Sequence, residues 1–199
     1  MGRAIVISGT PGTGKTLVAK ELSKLLNAKY VNLSELVISE GLYDEYDRDR
    51  DSYVINEDLL RDYLRRLVMG TDGYVVIDSH YGELIDDDLL SKLIVLRLHP
   101  KELLRRLLGK GWALSKVAEN VEAEIVGVCT YNALNEHPKD KVCEVNTTDK
   151  SVHEVVNEVL GIINGEVPCR VWIDWLSDPK LSEVLMEIRR LYNVNDKRY

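Results

Sequence analysis

Apolar runs and apolar stripes alternate along this chain, and their order predicts its architecture. Arg3 to Ser8 is a near-continuous apolar run, the pattern of a parallel strand buried on both faces. Leu17, Val18, Leu22, Leu25 and Leu26 then recur at helical spacing, predicting a helix that ends near Asn27. Tyr30-Val31-Asn32-Leu33 reads as a short second strand, and Ser34 as the N-cap of a helix with Glu35 in its first turn, ending at Gly41. Residues 42–53 are polar with interleaved tyrosines, which suits a surface insertion rather than a core element. Leu59, Leu60, Tyr63, Leu64 and Leu67 form one stripe of a helix from Asn56 to Met69, and Tyr74 to Asp78 is the third strand. Leu93 to Leu98 is the fourth strand, closed by His99-Pro100. A helix from Lys101 to Leu108, a long amphipathic helix from Ser115 to Asn135, a fifth strand from Val142 to Val145 and a helix from Ser151 to Ile163 follow. Such alternation implies a three-layer α/β fold: a five-stranded parallel sheet, right-handed crossovers, and a ligand at the carboxyl ends of the strands.

Residues 165–199 lie outside that alternation. Val171 to Leu176 and Asp178-Pro179 lead into a stripe of Leu181, Val184, Leu185, Ile188 and Leu191. This predicts a helical appendage packed on the core, with a partner-binding or dimer element as the alternative. Composition places the chain among ordinary globular proteins. Its 199 residues suit one compact domain, and 45% apolar with 30% charged residues excludes general disorder. No apolar run approaches the about eighteen residues of a membrane span, and the chain enters a strand at once, without a basic-then-apolar leader. The implied location is cytoplasmic. Cys129, Cys143 and Cys169 are odd in number, far apart and without C-x-x-C spacing, so they read as buried thiols rather than as disulfide or zinc partners. A net charge of −7 argues against broad, non-specific nucleic-acid binding. Two acidic stretches, Asp44, Glu45, Asp47, Asp49 and Asp51, then Glu83, Asp86, Asp87 and Asp88, are either solvated surface or a docking face for a basic protein.

The chemistry concentrates at Gly9-Thr10-Pro11-Gly12-Thr13-Gly14-Lys15-Thr16, which fits the phosphate-binding pattern G-x-x-x-x-G-K-[ST] directly after a strand. A glycine-rich turn bends around an anion, and a helix begins with its unpaired N–H groups aimed at it. Gly12 and Gly14 let the backbone approach where a Cβ would collide. Lys15 reaches the β- and γ-phosphates, and the Thr16 hydroxyl is placed to ligate Mg²⁺. Asp78, an acid at the tip of an apolar strand one helix downstream, has the Walker B placement, approaching Mg²⁺ through its water. Gly109-Lys110-Gly111-Trp112 suggests a hinged cover, with a plain interhelical turn as the alternative. Asn146-Thr147-Thr148 ends the fifth strand, where an adenine would lie in a P-loop kinase sheet.

Taken together, these residues resemble adenylate kinase isoenzyme six and its archaeal relatives: the P-loop, Lys29 to Leu36, Gly41-Leu42-Tyr43 with Tyr46-Asp47 and Arg50-Asp51, Asp78-Ser79-His80-Tyr81, and Gly111-Trp112 with Lys116 and Glu119-Asn120. The resemblance covers residues 3–164 and implies a P-loop NTPase core over residues 1–164, with a C-terminal extension over 165–199. Within the core it implies an NMP-binding segment of residues 32–55 and a LID of residues 109–119. Also implied are a broad-specificity nucleoside monophosphate kinase using ATP and Mg²⁺, an intrinsic ATPase activity, and a role in late small-subunit rRNA maturation. The corresponding partner is the platform protein homologous to bacterial small-subunit protein eleven. Gly12, Gly14, Lys15, Thr16, Leu17 and Lys110 would hold ATP, and Asn32 and Ser34 would face the monophosphate. Lys15, Asp78 and His80 would act in catalysis, with His80 positioning a water or sensing the γ-phosphate, and Thr16 and Asp78 would hold the metal. Lys110 stands where the family usually has an arginine, so a point charge replaces a planar fork. Ile38 stands where relatives can carry an arginine, and Arg105 or Arg106 could supply that missing cation. The competing reading is an ATP-driven assembly factor in which hydrolysis switches affinity for the ribosomal protein and kinase activity is incidental. A nucleotide-dependent binding module without turnover is a third.

Overall fold

The computed structural model describes residues 2–48, 52–79 and 84–195. In chain order its first half holds β1 (Arg3–Ser8), α1 (Lys15–Leu25), β2 (Lys29–Asn32), α2 (Leu33–Ser39), β3 (Tyr43–Asp47), β4 (Ser52–Ile55), α3 (Glu57–Met69) and β5 (Tyr74–Asp78). The second half holds β6 (Leu90–Arg97), α4 (Pro100–Leu108), α5 (Leu114–Ile125), α6 (Val128–Glu136), β7 (Val142–Asn146), α7 (Val152–Asn164), a 3₁₀ turn (Trp175–Ser177) and α8 (Leu181–Asn195). Five strands form one parallel sheet in the order β2-β5-β1-β6-β7. The chain winds to one side of β1 for β2 and β5 and to the other for β6 and β7, so the crevice where such sheets bind ligands opens at the carboxyl end of β1.

Strand β1 shows why its sequence is apolar throughout. Ala4 and Val6 face one buried layer with Leu60, Leu64 and Val68 of α3. Ile5 and Ile7 face the other, with Val18 and Leu22 of α1 and Val155, Val156 and Val159 of α7. A third cluster joins Leu103, Leu104 and Leu107 of α4, Val117 and Val121 of α5, and Val184 and Ile188 of α8. The C-terminal helix thus packs on the two helices that flank the cover segment.

Several elements differ from the sequence reading, each for a local reason. Helix α2 is capped by Asn32, not Ser34: Asn32 keeps an extended backbone and its Oδ1 accepts from the Glu35 N–H at 3.2 Å, so the helix starts at the buried Leu33. Strand β6 starts three residues early, because Leu90 already pairs with Ala4 across the polar Ser91-Lys92 step. The polar stretch of residues 42–53 contributes to an antiparallel hairpin, β3 (Tyr43–Asp47) with β4 (Ser52–Ile55), in which Tyr53 meets Tyr43 and Tyr46 at 4.5 and 5.1 Å between ring centroids. The predicted single helix from Ser115 to Asn135 is broken into α5 and α6 at Gly127, whose φ of +69° few other residues adopt. A Cβ there would also sit 3.3 Å from the guanidinium of the buried Arg97. The apolar period runs on through this break, which is why periodicity misses it.

The cysteine reading is corrected outright, because Cys143 and Cys169 form a disulfide. After α7 the chain reverses and runs beside β7, with the Glu144 N–H donating to the Arg170 carbonyl at 2.9 Å. This brings the two Cα atoms to 4.8 Å across a sequence separation of 26. An odd count and wide spacing carry no information about a return strand. Cys129, on α6, takes no part, and thiol usage no longer bears on the compartment. Among the described residues no helix is long and apolar enough to cross a membrane. The second acidic stretch is used internally: Asp86 and Asp88 pair with Arg65, and Asp87 Oδ1 lies 2.8 Å from His137 Nδ1. Glu83, Asp49 and Asp51 lie outside the described residues.

Candidate active site

At the end of β1 the chain turns through Gly9 to Gly14 and enters α1. No side chain caps that helix and its first turn holds no acid, so its N-terminal N–H groups are left for an anion. They open on a cavity of 740 Å³ lined by Gly12, Gly14, Lys15, Thr16, Leu17, Asn32, Ser34, Asp78, Arg106, Lys110 and Trp112, among others. The two motif glycines share one need and differ in another. A Cβ on Gly12 would meet Leu103 and Leu107 of α4 at 2.8 and 3.0 Å, whereas Gly14 has open space and is required by its φ of +101°. Gly12 has a φ of +98° as well, so backbone conformation calls for glycine at both positions and collision adds a second reason at Gly12 alone.

Lys15 donates from Nζ to the Thr10 carbonyl at 3.2 Å. Burial holds its pKa below the ordinary lysine value, with the Asp78 carboxylate acting in the opposite direction. The Thr16 hydroxyl donates to Asp78 Oδ2 at 2.6 Å, joining the two groups that the sequence assigns to the metal. A hydroxyl and a carboxylate side by side, facing a phosphate-sized opening, are the hard oxygen donors that Mg²⁺ takes alongside phosphates and water.

The remaining predicted residues divide between two places. Arg106 donates from Nη1 to the Gly12 carbonyl at 3.2 Å and from Nε to Glu102 at 3.0 Å, which puts it at the P-loop cavity. Arg105 lies elsewhere. It forms a two-bond fork with Glu102, at 2.9 and 2.8 Å, and lines a separate groove of 570 Å³ with His99, Thr148 and Asp149. Lys110 and Lys116 both lie over the ring of Trp112, at 4.9 and 5.0 Å from its centroid. Trp112 is half-buried against the third core cluster rather than exposed. Asn32 spends its side-chain oxygen on the α2 cap while still lining the cavity, and Ser34 lines it together with a small apolar pocket of Leu33, Val37, Ile38, Tyr53 and Ile55. His80 lies outside the described residues.

Comparison with known proteins fits this geometry. A family model described as an AAA domain matches residues 5–127. A relative from Saccharolobus islandicus (strain L.S.2.15 / Lassen #1), named "Putative adenylate kinase", is 42% identical over 187 residues, covering 94% of this chain and 95% of its own. The chain belongs to this AAA-domain adenylate kinase family. A Pyrococcus furiosus relative of the same name is 42% identical over 188 residues, covering 94% and 97% of the two chains. One from Methanocaldococcus jannaschii is 34% identical over 171 residues, covering 86% and 92%. Among solved structures, a shikimate kinase from Bacteroides thetaiotaomicron superposes with a TM-score of 0.55 at 14% identity, over 82% of this chain and 99% of that one. That likeness shows a shared kinase fold.

In this adenylate kinase family member, sequence reasoning passes over Tyr30. Its hydroxyl donates to Asp78 Oδ2 at 3.2 Å, across the β2–β5 pairing that sets Tyr30 beside Val76. Burial, and then the Asp78 charge, push its pKa up to about 12, so it stays a neutral donor. Only the strand order could have revealed it. With Thr16 as a metal ligand, Tyr30 would be left to orient the carboxylate. Tyr30→Phe is therefore expected to raise the Mg²⁺ concentration for half-maximal activity roughly three- to tenfold, the loss of one hydrogen bond to a ligand. A Mg²⁺ titration at saturating nucleotide checks this, and an unchanged midpoint would remove Tyr30 from the site.

Proposed function

We propose that this protein is a broad-specificity nucleoside monophosphate kinase, an adenylate kinase that moves the γ-phosphoryl of ATP onto AMP or a similar acceptor. The observation that carries this reading is the composition of one cavity. Its walls bring together the P-loop, the metal pair Thr16 and Asp78, Asn32 and Ser34 from the segment 32–55, and Lys110 and Trp112 from the segment 109–119. A hydrolase needs only the first two. Donor and acceptor sides facing each other are what a transfer between two nucleotides requires.

Phosphoryl transfer depends on alignment and charge neutralisation more than on covalent chemistry, so no phosphoenzyme is expected. The N–H groups of Gly12, Gly14, Lys15 and Thr16 hold the ATP phosphates, and Lys15 spans the β- and γ-oxygens. Thr16 and Asp78 would hold Mg²⁺, which neutralises charge on those oxygens when bound. Arg106 and Lys110 supply the cations facing the transferred group, and Lys110 contributes charge without a bidentate fork. The ATP base is assigned to the groove of His99, Arg105, Thr148 and Asp149, on the other flank of α4. The acceptor base is assigned to the apolar pocket behind Ser34, where Ile38 offers contact area and no charge. Closure of the two segments 32–55 and 109–119 would exclude water, and leakage to water would give the ATPase activity.

The test follows ATP, ADP, AMP and free phosphate by chromatography with Mg²⁺, each NMP being added or omitted. The expected result is two ADP per ATP consumed when AMP is present, with little free phosphate. Equal ADP and phosphate, independent of any NMP, would overturn it in favour of the ATP-driven assembly factor. One surface supports that second reading: Asp44 and Glu45 stand exposed on the hairpin, Asp44 accepting from Asn56 Nδ2 at 2.6 Å, where they could meet a basic ribosomal protein of the small-subunit platform. Pull-down of that protein by a variant with Asp44, Asp47 and Asp49 changed to lysine tests it, and undiminished capture sinks it.

A further inference from the structure

Beneath the P-loop lies a group of buried charges that phosphoryl transfer does not use. Arg97 ends β6, Glu124 sits near the end of α5 and Glu144 lies within β7, and all three are at most 3% exposed. Arg97 donates from Nε to Glu124 Oε1 at 2.8 Å, from Nη2 to the Glu124 carbonyl at 2.8 Å, and from Nη1 to Glu144 Oε1. One guanidinium thus serves two carboxylates, and neutral donors make up the rest. Glu144 Oε1 also accepts from the Thr130 hydroxyl at 2.7 Å, and its Oε2 from the backbone N–H groups of Trp172 and Ile173, both at 2.8 Å. Glu124 Oε1 also accepts from the Leu98 N–H at 3.1 Å and from the Trp175 indole at 3.0 Å.

The remaining oxygen of Glu124 has a different partner. Oε2 accepts from the hydroxyl of Thr10, inside the P-loop, at 2.6 Å. Thr10 is also where the loop organises itself: its carbonyl accepts from Lys15 Nζ at 3.2 Å and from the Thr13 N–H and hydroxyl at 3.3 and 2.9 Å. Whatever fixes the Thr10 side chain also fixes the carbonyl on which the phosphate-binding lysine rests. A buried carboxylate keeps one orientation only while its donors are in place, since an unmatched oxygen in the interior is costly. The Trp175 indole that donates to Glu124, and the Trp172 and Ile173 N–H groups that donate to its neighbour Glu144 across Arg97, all come from the segment after α7, outside the matched domain of residues 5–127.

We propose that Glu124 is a positioning residue for the P-loop, and that the C-terminal segment, chiefly the Trp175 indole, locks Glu124 in the orientation that holds Thr10. The C-terminal extension is then part of the nucleotide site without touching nucleotide. This rests on the reading that the P-loop cavity holds ATP phosphates. It also places both ends of α5 at the site, since the cover segment with Lys110 and Trp112 leads directly into its first turn.

Thr10 and Trp175 donate to the two oxygens of one carboxylate, Glu124, so a double-mutant cycle between them is the decisive test. Trp175→Phe removes the indole donor and keeps a ring beside His99, and Thr10→Val removes the hydroxyl at nearly constant volume. Each is expected to raise the KM for ATP three- to tenfold while leaving the KM for the acceptor within twofold. The double variant should be no more than about twofold worse than the poorer single one. Melting curves run alongside, and Glu124→Gln serves as a second probe should either variant fold poorly. A lower Tm with an unchanged ATP KM, or effects that multiply, would overturn the proposal. Nucleotide binding by wild type and by Lys15→Ala separates the two levels. If wild type binds MgADP and Lys15→Ala does not, the cavity reading stands whatever the cycle shows; if wild type binds none, both fall.

Discussion

Lys15→Met is expected to raise the melting temperature of the nucleotide-free protein while cutting phosphoryl transfer by about 10²–10³-fold, the scale seen when one preorganised charge-stabilising donor is removed. Both effects come from the same burial. The enclosed ammonium loses hydration, which holds its pKa below that of an exposed lysine, and Asp78 offsets only part of that loss. For a lysine with a depressed folded-state pKa, the unfolded chain binds the proton more tightly, so unfolding is favoured while the group is charged. Stability then rises as pH climbs through the depressed folded value toward the unfolded one. Methionine keeps the apolar stem and discards the charge, so the stability gap between variant and wild type should be largest at neutral pH and close at alkaline pH. Activity follows the opposite sign. The KM of wild type for ATP should begin to climb at a lower pH than an exposed lysine would dictate, while kcat persists higher because bound phosphate returns the proton. Thermal melts and pH–rate profiles of the two proteins measure all of this. A variant that melts below wild type at pH 7 would show that the Lys15 tie to the Thr10 carbonyl outweighs its burial.

Such a site is legible where its chemistry is contiguous in the chain. Gly12, Lys15 and Thr16 sit in one motif because phosphate binding uses consecutive backbone N–H groups, and Asp78 is found because a parallel strand delivers its last residue to the same edge. The strands are readable because β1, β5, β6 and β7 are short, mostly buried runs, while β2 at the sheet edge is only half-buried. What escaped depends on residues that meet only after folding. Tyr30 reaches Asp78 through the register of β2 on β5, which no local pattern encodes. Arg105 and Arg106 are adjacent in sequence and point to different cavities, a distinction set by the facing of α4. Gly127 breaks a helix whose apolar period continues, because its φ of +69° turns the chain there and a Cβ would crowd the Arg97 guanidinium. In each case the controlling contact spans tens of residues, and a window of ten or fifteen positions cannot contain it.

The Cys143–Cys169 bridge gives the second large effect, on stability. It closes a loop with a sequence separation of 26 that contains all of α7. In the chain-entropy treatment such a loop contributes about 3–4 kcal/mol, which for a chain of 150–250 residues corresponds to a Tm shift of roughly 10 °C. Reduction, or Cys169→Ser, is therefore expected to lower the Tm by about that amount. Cys143 is fully buried in β7, so a serine there would add an unpaired hydroxyl, and Cys169 is the cleaner site to change. Thiol titration of the denatured, unreduced protein should find one reactive sulfur, that of Cys129, and three after reduction. Three before reduction would mean that the bridge does not form. The bridge also holds the returning chain whose Trp172 and Ile173, three and four residues beyond Cys169, donate to Glu144. A reduced protein should accordingly lose protection from amide exchange at these two N–H groups before it loses the sheet. Uniform loss across the sheet and the returning segment would instead make the bridge a global staple with no special hold on the extension.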